Sequence, residues 1–216
     1  MPDQPNTPAA ANEEDAAPAS TERVRKRPKP GERRIQILQT LAQMLEQPGA
    51  ERITTAALAA KLSVSEAALY RHFASKAQMF EGLIEFIESS VFTLINQVVE
   101  RENTGVAQAG KIVNVVLQFG EKNPGMTRVM VGDALVFEHE RLIARMNQFF
   151  DRVESQLRQC LRAAAEAAGS PQPTVDGNAQ ASALTSFAVG RLQRYARSGF
   201  KRSPTEHLDA ALRLFA

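Results

Sequence analysis

From Ile35 onward the apolar residues recur at spacings of three and four, and no stretch sustains the alternation of a half-buried strand; the chain is constrained to an all-α fold. Ile35, Leu38, Leu41, Ala42 and Leu45 form the first stripe, which Pro48-Gly49 ends. Thr54 or Thr55 offers an N-cap for a helix over 56–62, Ser65 another for 66–72, and Ser75 with Gln78 has the spacing of a capping box before Met79. Caps so closely spaced predict short helices joined by tight turns.

The next stripe is long. Phe80, Leu83, Ile84, Ile87, Val91, Leu94, Ile95 and Val98 share one face, while residues 106–120 are apolar nearly all round and predict a central buried helix. Asn123-Pro124-Gly125 marks a turn, then comes a segment over 126–137 and a charged, coiled-coil-like helix over about 138–168. Its inner side is Leu142, Met146, Phe149, Val153, Leu157 and Cys160. The run 169–173 breaks it, and two more helices are expected, at 177–198 and from 205 to the end.

The net charge of +2 over 216 residues conceals an uneven distribution. Residues 1–22 carry five acids and no base, whereas residues 23–34 carry seven bases and one acid. Residues 1–30 hold six prolines and no Leu, Ile or Phe, the composition of a disordered tail, acidic and then basic. One cysteine excludes an internal disulfide framework, and three scattered histidines supply no metal cluster, so no cofactor or metal is expected. No signal peptide or membrane span is apparent, and the expectation is a cytoplasmic protein.

The stretch Ile53-Thr54-Thr55-Ala56-Ala57-Leu58-Ala59-Ala60-Lys61-Leu62-Ser63-Val64-Ser65-Glu66-Ala67-Ala68-Leu69-Tyr70-Arg71-His72-Phe73 has the pattern of a helix-turn-helix. Leu58, Leu62, Val64 and Leu69 would lock the two helices, and Ala59 would let them cross closely. The free face of the second helix then carries Ser65, Glu66, Ala67, Ala68, Arg71 and His72, short or polar groups suited to base edges. Tyr70 and Lys76 flank it within reach of phosphates. The helix starts capped by Thr54 and Ser75 add backbone N–H groups for anions. Ala- and Leu-rich helix pairs are common; the turn, the caps and the terminal Tyr-Arg-His-Phe favour DNA binding by occurring together.

This module resembles the TetR family of regulators, whose DNA-binding helices commonly end in Tyr-x-His-Phe-x-x-Lys, here Tyr70-Arg71-His72-Phe73-Ala74-Ser75-Lys76. The likeness implies a DNA-binding domain over 31–91, motif 54–73, and a helical regulatory and dimerisation domain over 92–216. Leu83-Ile84-Glu85-Phe86-Ile87-Glu88, Phe119-Gly120-Glu121-Lys122-Asn123-Pro124-Gly125, Ala134-Leu135-Val136-Phe137-Glu138 and Ser198-Gly199-Phe200-Lys201-Arg202-Ser203-Pro204-Thr205 extend the resemblance to the nucleoid occlusion factors of that family. Such proteins are homodimers that bind pseudo-palindromic double-stranded DNA in the nucleoid and antagonise FtsZ assembly. The resemblance implies that role here, with no enzymatic activity.

Phe86 lies about 120° from the centre of the fourth stripe at 100° per residue. Packing would explain an aromatic there; the resemblance favours a surface facing FtsZ, shared with Lys122 and Asn123. His139 lacks a second histidine at zinc-helix spacing, and Cys160 reads as a small core residue. Ala179, Ala183, Ser186 and Gly190 line one side of a late helix, suiting close packing against a second copy. The alternative is a ligand-responsive repressor; one Tyr outside the motif, Tyr195, and no Trp argue against a small-molecule ligand. Ser63 stands where a left-handed turn favours Gly.

Overall fold

The computed structural model describes residues 31–47 and 52–215. The expected tail over 1–30, with most of the basic block, and the Pro48-Gly49 stop lie outside the described residues. Nine α-helices are described: α1 (Glu32–Leu45), α2 (Thr55–Leu62), α3 (Glu66–Tyr70), α4 (Lys76–Arg101), α5 (Gly105–Lys122), α6 (Pro124–Met130), α7 (Glu140–Ala167), α8 (Pro173–Arg197) and α9 (Leu208–Leu212). No strand occurs among the described residues.

Local chemistry sets the boundaries of the early helices. Thr54 Oγ1 accepts the Ala57 N–H at 3.1 Å, Ser65 Oγ that of Ala68 at 3.3 Å and Ser75 Oγ that of Gln78 at 3.2 Å, satisfying donors that a helix start leaves orphaned. Gln78 answers through Oε1, which accepts the Ala74 N–H at 2.8 Å. Ser63 closes α2 at φ 54, the left-handed conformation expected of that turn. Later, Pro173 occupies the first turn of α8, where a missing N–H costs nothing, so that helix starts four residues before the expected 177.

Two stretches differ from their sequence patterns. The segment 126–137 is divided: α6 stops at Met130, Gly132 turns left-handed at φ 84, and a short 3-10 turn follows over Asp133–Leu135. The last helix is shorter than expected, because residues 198–207 form a structured loop before α9.

Helix α4 is the spine. Met79, Phe80, Leu83, Ile84, Ile87, Val91 and Ile95 are all buried, and the helix packs against α1 of the head and against α5, α6 and α7. By length and composition alone α4 is long and apolar enough to cross a membrane, although it contains no uncharged apolar run of that length. Most of its apolar stripe is inside the protein, Leu94 being exposed and Val98 half-buried, and Glu88 holds Arg145 in a two-pronged contact at 3.1 and 2.7 Å. We read it as a core helix. The hydrogen bond to Glu88 outweighs burial and pushes the Arg145 guanidinium pKa further up.

The same seam carries Glu81 to Arg141 at 2.8 Å and Lys76 to Glu138. Three ion pairs thus tie α4, which leaves the head, to the start of α7. On the other side, α1 lies on α6 so closely that a Cβ at Gly125 would sit 2.0 Å from the Ala42 carbonyl oxygen. Only glycine fits that contact without displacing backbone.

Gly125→Ala should therefore lower the melting temperature by roughly 3–10 °C, from an overpacking cost of about 1–3 kcal/mol in a chain of this size. Thermal unfolding by circular dichroism checks it, and an unchanged midpoint would mean that the head is not docked this tightly.

Candidate nucleic-acid interface

The recognition candidate α3 is only five residues long and cannot hold itself in place. Leu69 and Phe73 anchor it from below, both almost wholly buried, with Leu58 and Ala59 of α2 beneath. Three further contacts fix its orientation. Thr55 Oγ1 donates to Glu66 Oε2 at 2.5 Å across the turn. Arg34 of α1 donates to the His72 carbonyl at 2.9 Å, and its guanidinium lies 4.1 Å from the Phe73 ring centroid. Ser65 caps the helix start as described above.

These anchors leave Ser65, Glu66, Ala67, Tyr70, Arg71 and His72 exposed on one surface, with Ala68 half-buried at its edge. Thr54 is exposed at the start of α2, and Thr55 is half-buried with its hydroxyl committed to Glu66. Small residues near the helix start leave room for close approach, and Arg71 has no ion-pair partner among the described residues.

Lys76 differs from its sequence expectation. Its ammonium is engaged by Glu138, and its side chain is only 26% exposed. It sits at the junction of head and body, 5.7 Å from the Phe80 ring centroid. Arg34, at the end of the basic block over 23–34, is used to hold the end of α3. Neither partner was apparent in the local pattern, because Glu138 lies 62 residues and His72 38 residues away.

Phe86 and Asn123 both meet the buried Phe119, one through its ring and the other through its backbone carbonyl, and Lys122 is the neighbour of Asn123 in the chain. The Phe86 ring is 6.2 Å from that of Phe119 and remains 48% exposed. Asn123 Nδ2 donates to the Phe119 carbonyl at 2.8 Å, closing the end of α5, and Lys122 is exposed in the last turn. The adjacent Glu121 is equally structural: its carboxylate accepts Ser203 and Thr205 hydroxyls at 2.5 and 2.6 Å, and its carbonyl accepts the Tyr195 hydroxyl at 3.1 Å. Burial first, then Glu121 and Glu46, push the Tyr195 pKa up. Sequence reading missed this network.

On α8, Ala179, Ala183 and Ser186 are exposed and Gly190 is half-buried, whereas Leu184 and Tyr195 on the other side are buried and Phe187 and Arg191 half-buried. Cys160 is buried, and burial pushes its thiol pKa up, away from the reactive range. His139 caps α7, its Nδ1 accepting the Arg141 N–H at 3.3 Å. His207 is exposed, 3.8 Å from Glu206. No group of three metal-binding side chains occurs among the described residues.

Residues 37–83 match the family model described as bacterial regulatory proteins, tetR family, and residues 103–216 match that of the tetracyclin repressor-like, C-terminal domain of SlmA-like type. Curated relatives include the nucleoid occlusion factor SlmA of Photobacterium profundum, 53% identical over 178 residues, covering 82% of this chain and 90% of the relative. That of Idiomarina loihiensis is 52% identical over 180 residues, with the same coverage. Among solved structures, the MbdR regulator of Azoarcus superposes with a TM-score of 0.68 at 17% identity, over 83% of this chain and 94% of that one. FadR of Bacillus subtilis, solved with stearoyl-CoA, gives 0.66 at 12%, over 84% and 96%. The structural likenesses carry the fold; the matched models and the sequence identity carry the kinship. The protein is a DNA-binding regulator rather than an enzyme, and it belongs to the TetR family, in its SlmA-like branch.

Proposed function

We propose that the protein is a homodimeric nucleoid occlusion factor that binds specific chromosomal sites in the cytoplasm and, bound there, inhibits FtsZ assembly, so that no septum forms over the nucleoid. The observation that carries this reading is identity at about half of the aligned positions, which span 82% of this chain and 90% of the relatives, to proteins named nucleoid occlusion factors. Geometry supports it in two ways. The exposed face from Ser65 to His72 is a compact surface for the major groove, and the cluster around Phe119 leaves Phe86 open for a partner.

Dimerisation follows from the small-residue side of α8. Without bulky side chains, two such helices can approach closely about a two-fold axis, and the paired heads would then read half-sites about 34–36 Å apart. DNA contact would rest on Thr54, Thr55, Ser65, Glu66, Ala67, Ala68, Tyr70, Arg71 and His72. Lys76 would join them only by leaving Glu138, which makes it a junction residue first.

Three outcomes are expected. Arg71→Ala should weaken binding to a duplex selected from random sequence and reduce the slope of log affinity against log salt by about one unit, as loss of a single phosphate contact would; an unchanged slope removes Arg71 from the backbone. Light scattering at micromolar concentration should give a dimer for the native chain and a monomer for Ala183→Glu, and a monomeric native chain contradicts the α8 interface. In pelleting assays, the protein with its selected duplex should reduce sedimented FtsZ polymer, and Phe86→Ser should lose that effect while binding DNA normally. If polymer yield is indifferent to the complex, and a small molecule instead releases the DNA, the protein is a ligand-responsive repressor.

A further inference from the structure

We propose that Arg191, Arg194 and Arg202, where the end of α8 meets the following loop, form a binding site for a phosphate group. The sequence concentrates positive charge there: residues 177–205 contain five bases and no acid. The three arginines line one cavity of about 90 Å³ together with Ser203 and Glu206. At about 30 Å³ per water molecule, that space holds a few waters or one tetrahedral oxyanion and is too small for a nucleoside.

The walls are arranged before any ligand arrives. Arg191 is half-buried, donates to the Glu206 carbonyl at 2.9 Å and lies 4.9 Å from the Phe187 ring centroid, so its guanidinium is oriented with donors to spare. The loop that carries Arg202 is held just as firmly. Ser198 Oγ accepts the N–H groups of Lys201 at 3.1 Å and Arg202 at 2.9 Å while donating to the Tyr195 carbonyl. Phe200 is kept at φ 65, a strained conformation for a bulky residue, by the Tyr195 ring at 5.2 Å and Arg128 at 5.3 Å. Glu121 fixes the far end through Ser203 and Thr205.

Arg194 and Arg202 are exposed, and their guanidinia have no ion pair or hydrogen bond among the described residues. Glu206 is the one acid on the rim, against three guanidinia. Planar forks of this kind match the oxygens of a phosphate two at a time, which lysines would not do. The phosphate is either a free ion or small phosphoester, or the phosphodiester of a nucleic acid.

Inorganic phosphate titrated into the full chain should raise its melting temperature beyond chloride at equal ionic strength. Arg194→Gln and Arg202→Gln, both at exposed positions, should each weaken that response at least tenfold, while Arg158→Gln on α7 should not. A second arm measures binding of a random-sequence duplex against salt. A slope lowered by about one unit in each cavity variant assigns the phosphate to a nucleic acid backbone; an unchanged slope with phosphate binding intact in the native chain assigns it to a free phosphate. A phosphate response that equals chloride, or that survives both substitutions, together with unaltered slopes, overturns the site.

Discussion

The contact on which the rest depends is the seam between head and body. α4 crosses it as one continuous helix, α1 rests on α6 through the glycine at position 125, and three ion pairs tie α4 to the beginning of α7. None of these alone would be strong. Exposed ion pairs are worth little, but the fork of Arg145 on Glu88 is geometrically matched and partly shielded from water, and the close backbone approach at Gly125 fixes the distance between layers. The head is therefore joined to the body by two routes, through α4, whose own surface carries Phe86, and through the contact of α1 with α6.

The candidate recognition helix, of one and a half turns, likewise depends on its neighbours. Its stability is borrowed: from Leu69 and Phe73 beneath, from Thr55 in front and from Arg34 behind. One of the polar groups that hold it, Thr55, belongs to the set expected from sequence to meet DNA. Thr55 and Arg34 hold α3 in place, and Arg71 and His72 stay exposed. Lys76, at the root of α4, belongs to both groups by position and to the seam by its contact with Glu138.

Much of this was visible in the sequence, for a physical reason. N-caps and apolar periodicity are local, so Thr54, Ser65 and Ser75 announced the helix-turn-helix, with Ser63 in the left-handed turn as a departure, and the stripe from Phe80 to Val98 announced α4. What the pattern could not show was pairing at long range. Glu138 is as unremarkable in sequence as any surface glutamate, and Glu121 gives no sign that it organises residues 198–205. Gly132 is the exception: a glycine inside an apparently continuous segment was a signal that α6 would stop short. Within the candidate site, the exposed face was legible, while the commitments of Thr55, Arg34 and Lys76 needed coordinates.

Under the proposed function, coupling of head and body would link the binding of DNA to that of FtsZ, and such linkage is reciprocal. The decisive measurement is the affinity for FtsZ with and without saturating selected duplex, set beside the affinity for that duplex with and without saturating FtsZ. The account predicts that each ligand tightens the other by the same factor, and that Glu88→Gln, which loosens the seam, shrinks both factors together. Equal affinity for FtsZ in the presence and absence of DNA would contradict it.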